Sequence, residues 1–227
     1  MRGEILCAIG KSGDVVGEID ARQCRRFATV DTAGTSKQKA AQRRGKPPSW
    51  SVCQVWDYWP KTGFLFLRHV WRDQVNWDGL KAGVRGTLHD WRPQRTLIEN
   101  AHHGPPLAAE LRGEFQIQLV NPVTRAMRGQ SGMPGKVERA TPLLNKLERG
   151  EVFLPRHNNH WLPDLEAEWL AWTGLEEETA DQIDAAAYAA DDVGGLGSNC
   201  TMTVDDLRLY TEPIMAYPFN NGGLLNH

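Results

Sequence analysis

Residues 27–31 read Phe-Ala-Thr-Val-Asp, four residues suited to a buried strand closed by a carboxylate. An acid in such a half-buried place is costly unless something cationic holds it. Thr32-Ala-Gly-Thr-Ser reads as the turn that leaves the strand. Working outward, residues 51–59 and 63–71 are β-rich runs joined at Pro60-Lys-Thr-Gly, which predicts an antiparallel hairpin. The pattern of a short apolar strand ending in an acid recurs at Thr96-Leu-Ile-Glu-Asn, closing on Glu99. A third acidic site lies in residues 181–189, Asp-Gln-Ile-Asp-Ala-Ala-Ala-Tyr-Ala. Thr179 is placed to cap a helix there, and Asp181 and Asp184, three apart, share one helical face.

Between these landmarks the spacing predicts alternating elements. Val75, Leu80, Val84 and Leu88 recur at helical intervals, although Gly79, Gly83 and Gly86 weaken the pattern. His102-His-Gly-Pro-Pro leads into a helix carrying Leu107 and Leu111, with prolines suited to its first turn. Residues 115–120 read as a strand, 121–135 as a polar glycine-rich loop, and 136–149 as a helix with Val137, Leu143, Leu144 and Leu147 on one face. Residues 151–154 are extended and 162–172 helical, while the basic stretch 37–48 has no periodicity and reads as a loop. Ahead of it all, residues 5–9 and 15–19 around Lys11-Ser-Gly-Asp predict a small hairpin. The expected division is an N-terminal hairpin over 1–26, a main domain over 27–192, and a Gly- and Asn-rich tail over 193–227. Three antiparallel strands followed by α/β crossovers imply an α/β fold, a mixed central sheet flanked by helices on both faces.

Charge separates the two ends of the chain. Residues 1–149 carry 24 Lys and Arg against 14 Asp and Glu, whereas residues 150–227 carry 2 against 14. A basic body suits a polyanion such as double-stranded DNA, and an acidic end does not. No apolar run approaches ~20 residues, so no membrane contact is expected. The start of the chain lacks the apolar segment of a signal peptide, and Cys7, Cys24, Cys53 and Cys200 show no metal or disulfide spacing. Both observations predict a cytoplasmic protein with reduced thiols.

Hydrolysis of a phosphodiester needs a deprotonated water and charge relief for the leaving oxygen, which two divalent ions roughly 4 Å apart supply when a cluster of oxygen ligands holds them. The order of elements, with acids ending the first and fourth strands and on a late helix, resembles the ribonuclease H-like superfamily. Within it, the chain looks like the C-terminal nuclease domain of the large terminase subunit of tailed bacteriophages. The resemblance runs over about residues 27–190, through FATVDTAGTSKQKA, WSVCQVWDYW, GFLFLRHVWRDQV, TLIENAHHGPPLAAEL, KVERATPLLNKLERGEVFLP and DQIDAAAYA. It implies Asp31, Glu99 and the helix acids Asp181 and Asp184 as catalytic metal ligands for two Mg2+ or Mn2+ ions. Asp31 would be shared by both ions and Glu99 would hold one. The other ion would fall to Asp184 or Asp181, an alternative left open.

The same resemblance implies cutting of double-stranded viral DNA during genome packaging in the bacterial host cytoplasm. The partners it implies are a portal protein, a terminase small subunit and a packaging ATPase domain of the same parent protein. Gly10-Lys11-Ser12 matches only the tail of a phosphate loop, since Ile5 stands where its first glycine belongs, so no motor is expected here. The family often carries an acid shortly before its second strand, where this chain has KAAQRRGKPPSW. Lys37, Lys39, Arg43 and Arg44 beside the first acid, and Lys136 and Arg139 at a helix start, are candidates for DNA backbone contact. His102 and His103 follow Glu99 closely and are weaker candidates for positioning a water or phosphate. Two other activities of the same fold compete, a Holliday-junction resolvase and an RNA–DNA hybrid nuclease. A non-catalytic DNA- or portal-docking module is the alternative from a different class.

Overall fold

The computed structural model describes residues 4–9, 13–33, 50–121, 135–156, 159–175, 178–194 and 214–218. Strands β3 (Arg25–Asp31), β4 (Ser51–Trp59) and β5 (Phe64–Asp73) pair antiparallel through the expected hairpin. All nine residues of β4 are buried, as a strand covered on both faces requires. On the far side of β3, β6 (Arg95–Glu99) and β7 (Ile117–Val120) lie parallel to it in succession. The resulting order, β5-β4-β3-β6-β7 with β4 alone reversed, is that of the ribonuclease H-like fold.

Each face of this sheet carries its own core. Helices α1 (Trp77–Trp91) and α2 (Gly104–Leu111) bury Leu80, Val84, Leu88, Leu107 and Leu111 against Ala28, Val30, Cys53, Val55 and Ile98. On the other face, α3 (Lys136–Glu148), α4 (Leu162–Ala171) and α5 (Asp181–Gly194) bury Leu143, Leu147, Leu165, Trp169, Ile183 and Ala186 against Phe27, Val52, Trp56 and Leu97. Gly83, one of the glycines that weakened the helical reading of α1, has a packing reason. A Cβ on Gly83 would stand 2.1 Å from the Trp71 ring, so the helix approaches β5 closely only because that position is bare.

The sheet extends beyond these five strands. β8 (Val152–Pro155) adds parallel to β5, and β9 (Ile214–Pro218) pairs antiparallel with β8 and parallel with β1 (Ile5–Ile9). β1 pairs in turn with β2 (Val15–Asp20), the expected hairpin. Among the described residues the strands thus form one nine-stranded sheet, with order β2-β1-β9-β8-β5-β4-β3-β6-β7. A strand within the segment read as a tail is a finding that its Gly- and Asn-rich composition hid.

A bulge separates the two ends of the β4–β5 pair. Val55 faces His69 while Trp56 faces Leu67, so Arg68 is the extra residue. Its guanidinium reaches Asp57 Oδ2 at 2.6 Å, and Arg26 grips the same carboxylate at 2.8 and 2.7 Å. Arg68 also pairs with Glu4 just ahead of β1, tying the hairpin to the main sheet. Cys7, Cys24 and Cys53 are buried free thiols. Among the described residues no helix is long and apolar enough to cross a membrane.

Candidate metal centre

Register decides which acids meet. β3 and β6 run parallel with Phe27 opposite Arg95 and Val30 opposite Ile98, so Asp31 and Glu99 follow at the same end of the sheet. Alternation along each strand sends both to the α5 face, since Phe27 and Leu97, an even number of residues earlier, belong to that core. Asp31 is 3% and Glu99 8% exposed. Helix α5 lies close above them because its sheet-facing side chains are small: Ala185, Ala186, Ala189 and Ala190 are all buried. Gln54 Nε2 donates to the Gln182 carbonyl at 2.9 Å and moors the start of α5 to β4.

The two strand acids lie close enough to raise the Asp31 carboxyl, and like charges so near each other in a buried place favour a protonated form. Burial first, then the neighbouring Glu99 carboxyl, then the charges of Asp184 and Asp181, hold the Asp31 carboxyl well above the ordinary carboxylate range. Glu99 Oε2 is buried without a hydrogen-bond partner, as are the hydroxyls of Thr29 and Thr32 flanking Asp31. Such an oxygen is expensive to leave unpaired. A crowded set of buried carboxyl oxygens matches the ligand preference of a hard divalent cation such as Mg2+ or Mn2+. No three His, Cys, Asp or Glu side chains among the described residues are already gathered tightly enough to hold an ion. The donor chemistry of the Asp31–Glu99 pair fits such an ion.

The helix acids differ in their surroundings. Asp181 Oδ2 accepts the main-chain N–H of Trp50 at 3.0 Å, at the entrance to β4. Trp50 is itself held, its ring 4.1 Å beneath the Arg72 guanidinium, and Arg72 reaches Glu168 at 3.1 Å. Glu168 accepts from the N–H and side chain of Gln182, and burial still raises its carboxyl above the usual range. Asp184 instead pairs with Arg139 of α3 at 3.5 Å. It also contributes more than Asp181 to raising the Asp31 carboxyl.

Tyr188 completes the group and is the residue that sequence reasoning missed. It lies four residues after Asp184 and seven after Asp181, hence on the same face of α5, near Asp31, Glu99 and Asp184. Burial first, then the charges of Asp31, Glu99 and Asp184, keeps that phenol protonated well above its ordinary range. The signal was present as the 181, 184, 188 spacing.

The remaining candidates divide. The Lys136 ammonium bonds the Glu178 carbonyl oxygen at the start of the α5 approach, and Arg139 lies on Asp184 itself. Lys37, Lys39, Arg43 and Arg44 lie outside the described residues. The histidines are not gathered with the acids. His102 is exposed with a positive φ of 50°, and His103 packs against Trp77 at 5.7 Å on the α1 side of the sheet.

No protein-family model matches the chain, and no curated protein is significantly similar to it. Solved structures do match. The fowlpox virus Holliday junction resolvase is 11% identical over 76% of this chain and 99% of its own, with a TM-score of 0.46. The large terminase nuclease of thermophilic phage G20c, with bound zinc, is 13% identical over 80% of this chain and 93% of its own, TM-score 0.47. The large terminase nuclease domain of bacteriophage SPP1, with bound Mn, is 16% identical over 81% and 94%, TM-score 0.42. Likenesses this distant do not tell one activity from another. The strand order and directions of the chain itself place it in the ribonuclease H-like fold.

Proposed function

We propose that the chain is a Mg2+- or Mn2+-dependent endonuclease that cuts double-stranded viral DNA during genome packaging. The observation that carries this reading is the buried Asp31–Glu99 pair at one end of the sheet, with one Glu99 oxygen unpaired and Asp184 of the helix near enough to raise the Asp31 carboxyl further. A purely structural pair of buried acids has no advantage over apolar residues of the same volume. Divalent ions seated there would lower the pKa of an attacking water and relieve charge on the leaving oxygen. Asp31 and Glu99 would hold them from the sheet and Asp184 from α5. Asp181, engaged by the Trp50 N–H, would steady the helix start instead. Arg139 would exchange Asp184 for a DNA phosphate once a cation takes its place, with Lys136 and the basic segment 37–46 extending the grip.

By family resemblance, the portal protein, the small subunit and a packaging ATPase domain of the same parent would deliver the DNA. The direct test is plasmid cleavage. Purified protein should nick and then linearise supercoiled plasmid with Mn2+ and do nothing in EDTA, and Asp31→Asn should reduce cutting to background. Duplex, four-way junction and RNA–DNA hybrid substrates, compared side by side, separate the packaging reading from the resolvase and hybrid-nuclease alternatives. DNA binding without cutting in any metal would favour the docking-module alternative and defeat the proposal.

A further inference from the structure

Helix α5 meets the sheet largely through buried alanines, and so smooth a face does not by itself fix where a helix sits along and around its axis. A slip of one residue would turn Asp184 by about 100°. We infer that Glu168 of α4 is a positioning residue for the proposed metal centre, holding Gln182 and thereby setting the register of α5 and the place of Asp184. The inference rests on the proposed metal-dependent cleavage and adds to it.

Gln182 is fully buried and stands between the two helix acids in the chain. Its main-chain N–H, in the first turn of α5 where no intrahelical carbonyl serves it, donates to Glu168 Oε1 at 2.8 Å. Its Nε2 donates to Glu168 Oε2 at 3.0 Å and to the Asp164 carbonyl at 3.3 Å, and its own carbonyl accepts from Gln54 of β4. One residue is thereby gripped at its N–H, its carbonyl and its side chain by two other elements. Glu168 is held in turn. Arg72 Nη2 of β5 donates to its Oε2 at 3.1 Å, and the Arg72 guanidinium lies over the ring of Trp50, whose N–H meets Asp181. These contacts close a ring from Asp181 through Trp50, Arg72 and Glu168 back to Gln182. Three donors converge on the two Glu168 oxygens, and only a carboxylate accepts them all, since a glutamine there would set its NH2 against one of them. An acid present only to pair with Arg72 would need neither contact with Gln182.

Glu168→Gln keeps the volume of the side chain and opposes a donor with a donor. Loss of groups that orient metal ligands typically costs about 10- to 100-fold in metal affinity, and titration calorimetry should show the folded variant binding Mn2+ about tenfold more weakly. In EDTA, hydrogen exchange at the Gln182 amide should quicken while the amides of β3 keep wild-type protection, a local change that general destabilisation would not give. In an Asp184→Asn background the same substitution should add little further loss of affinity, because the charge being positioned is already gone. Gln182→Met leaves the Glu168–Arg72 pair in place and removes only the side-chain donor. It should weaken Mn2+ binding in the same direction, and it carries the test where Glu168→Gln does not fold. Unchanged Mn2+ affinity in whichever variant folds, with wild-type protein that binds and cleaves, would overturn the inference alone. Equal losses in the wild-type and Asp184→Asn backgrounds would do the same. Wild-type protein that binds no Mn2+ and cuts no DNA would overturn both readings.

Discussion

At Asp31 the demands of folding and of the proposed chemistry conflict. Its folded-state pKa is raised by burial and by neighbouring acids, so its contribution to stability is present below the unfolded pKa of about 3.9 and is lost as pH rises through the folded value. Metal-free protein should therefore be penalised at this site at pH 8 relative to pH 5. Asp31→Asn removes the charge while keeping the shape. In EDTA at pH 8 it should melt higher than wild type, by a few degrees for about 1 kcal/mol in a chain of this size. The gap should narrow toward pH 5, and the variant should lose the stabilisation that Mn2+ gives wild type. A variant that melts lower than wild type at every pH would contradict this account of the site.

The helix acids give a second contrast at the same scale. Asp184→Asn should lower cleavage by about 100-fold or more, whereas Asp181→Asn should cost about tenfold or less, because Asp181 is occupied by a main-chain N–H. Rates measured at saturating Mn2+ decide between them. The sequence left this choice open for a physical reason. Both acids share one helical face, and what distinguishes them is Trp50, 131 residues away in the chain.

Among the elements, two glycines test how closely helices must approach the sheet. A Cβ on Gly104 would fall 1.8 Å from the Glu99 carbonyl oxygen, so Gly104→Ala must move either α2 or the end of β6. A Cβ on Gly83 would strike the Trp71 ring on the same face of the sheet but away from the acids. Both substitutions should destabilise by about 1–3 kcal/mol. Only Gly104→Ala should also weaken Mn2+ binding, as followed by calorimetry, because it displaces a proposed ligand. Strand and helix order were legible from periodicity: the β4–β5 hairpin and α5 emerge as expected. The reason for Gly83 was not, since nothing local tells that a tryptophan from the preceding strand needs its space. β9 was hidden for a similar reason. Five residues without alternation, Ile-Met-Ala-Tyr-Pro, become a strand only because β1 and β8 each offer an unpaired edge.

Over the whole molecule, the proposed centre and the ionic anchor lie at opposite ends of β3. Asp31 ends that strand, while Arg26 near its start joins Arg68 on Asp57, whose side chain is only 1% exposed. Asp57→Ala would leave two guanidinium groups facing each other without their shared acid, at a cost of about 3–5 kcal/mol. Denaturant unfolding should show that loss, while folded protein keeps wild-type Mn2+ affinity. The anchor was invisible in the sequence because it depends on a bulge that turns Arg68 out of alternation. The charge asymmetry was visible at once, yet five of its basic residues, at 37–46, lie outside the described residues. What the order of elements did carry was the meeting of Asp31 and Glu99. Two strands of one parallel pair, each ending in an acid, can bring them nowhere else.

The most direct measurement is anomalous diffraction from crystals soaked in Mn2+. A peak within coordination distance of Asp31 and Glu99, with Asp184 turned from Arg139 toward it, is the predicted result. Crystals that take up no Mn2+ at this site, with Asp184 still on Arg139, would contradict the assignment of these acids as a metal centre.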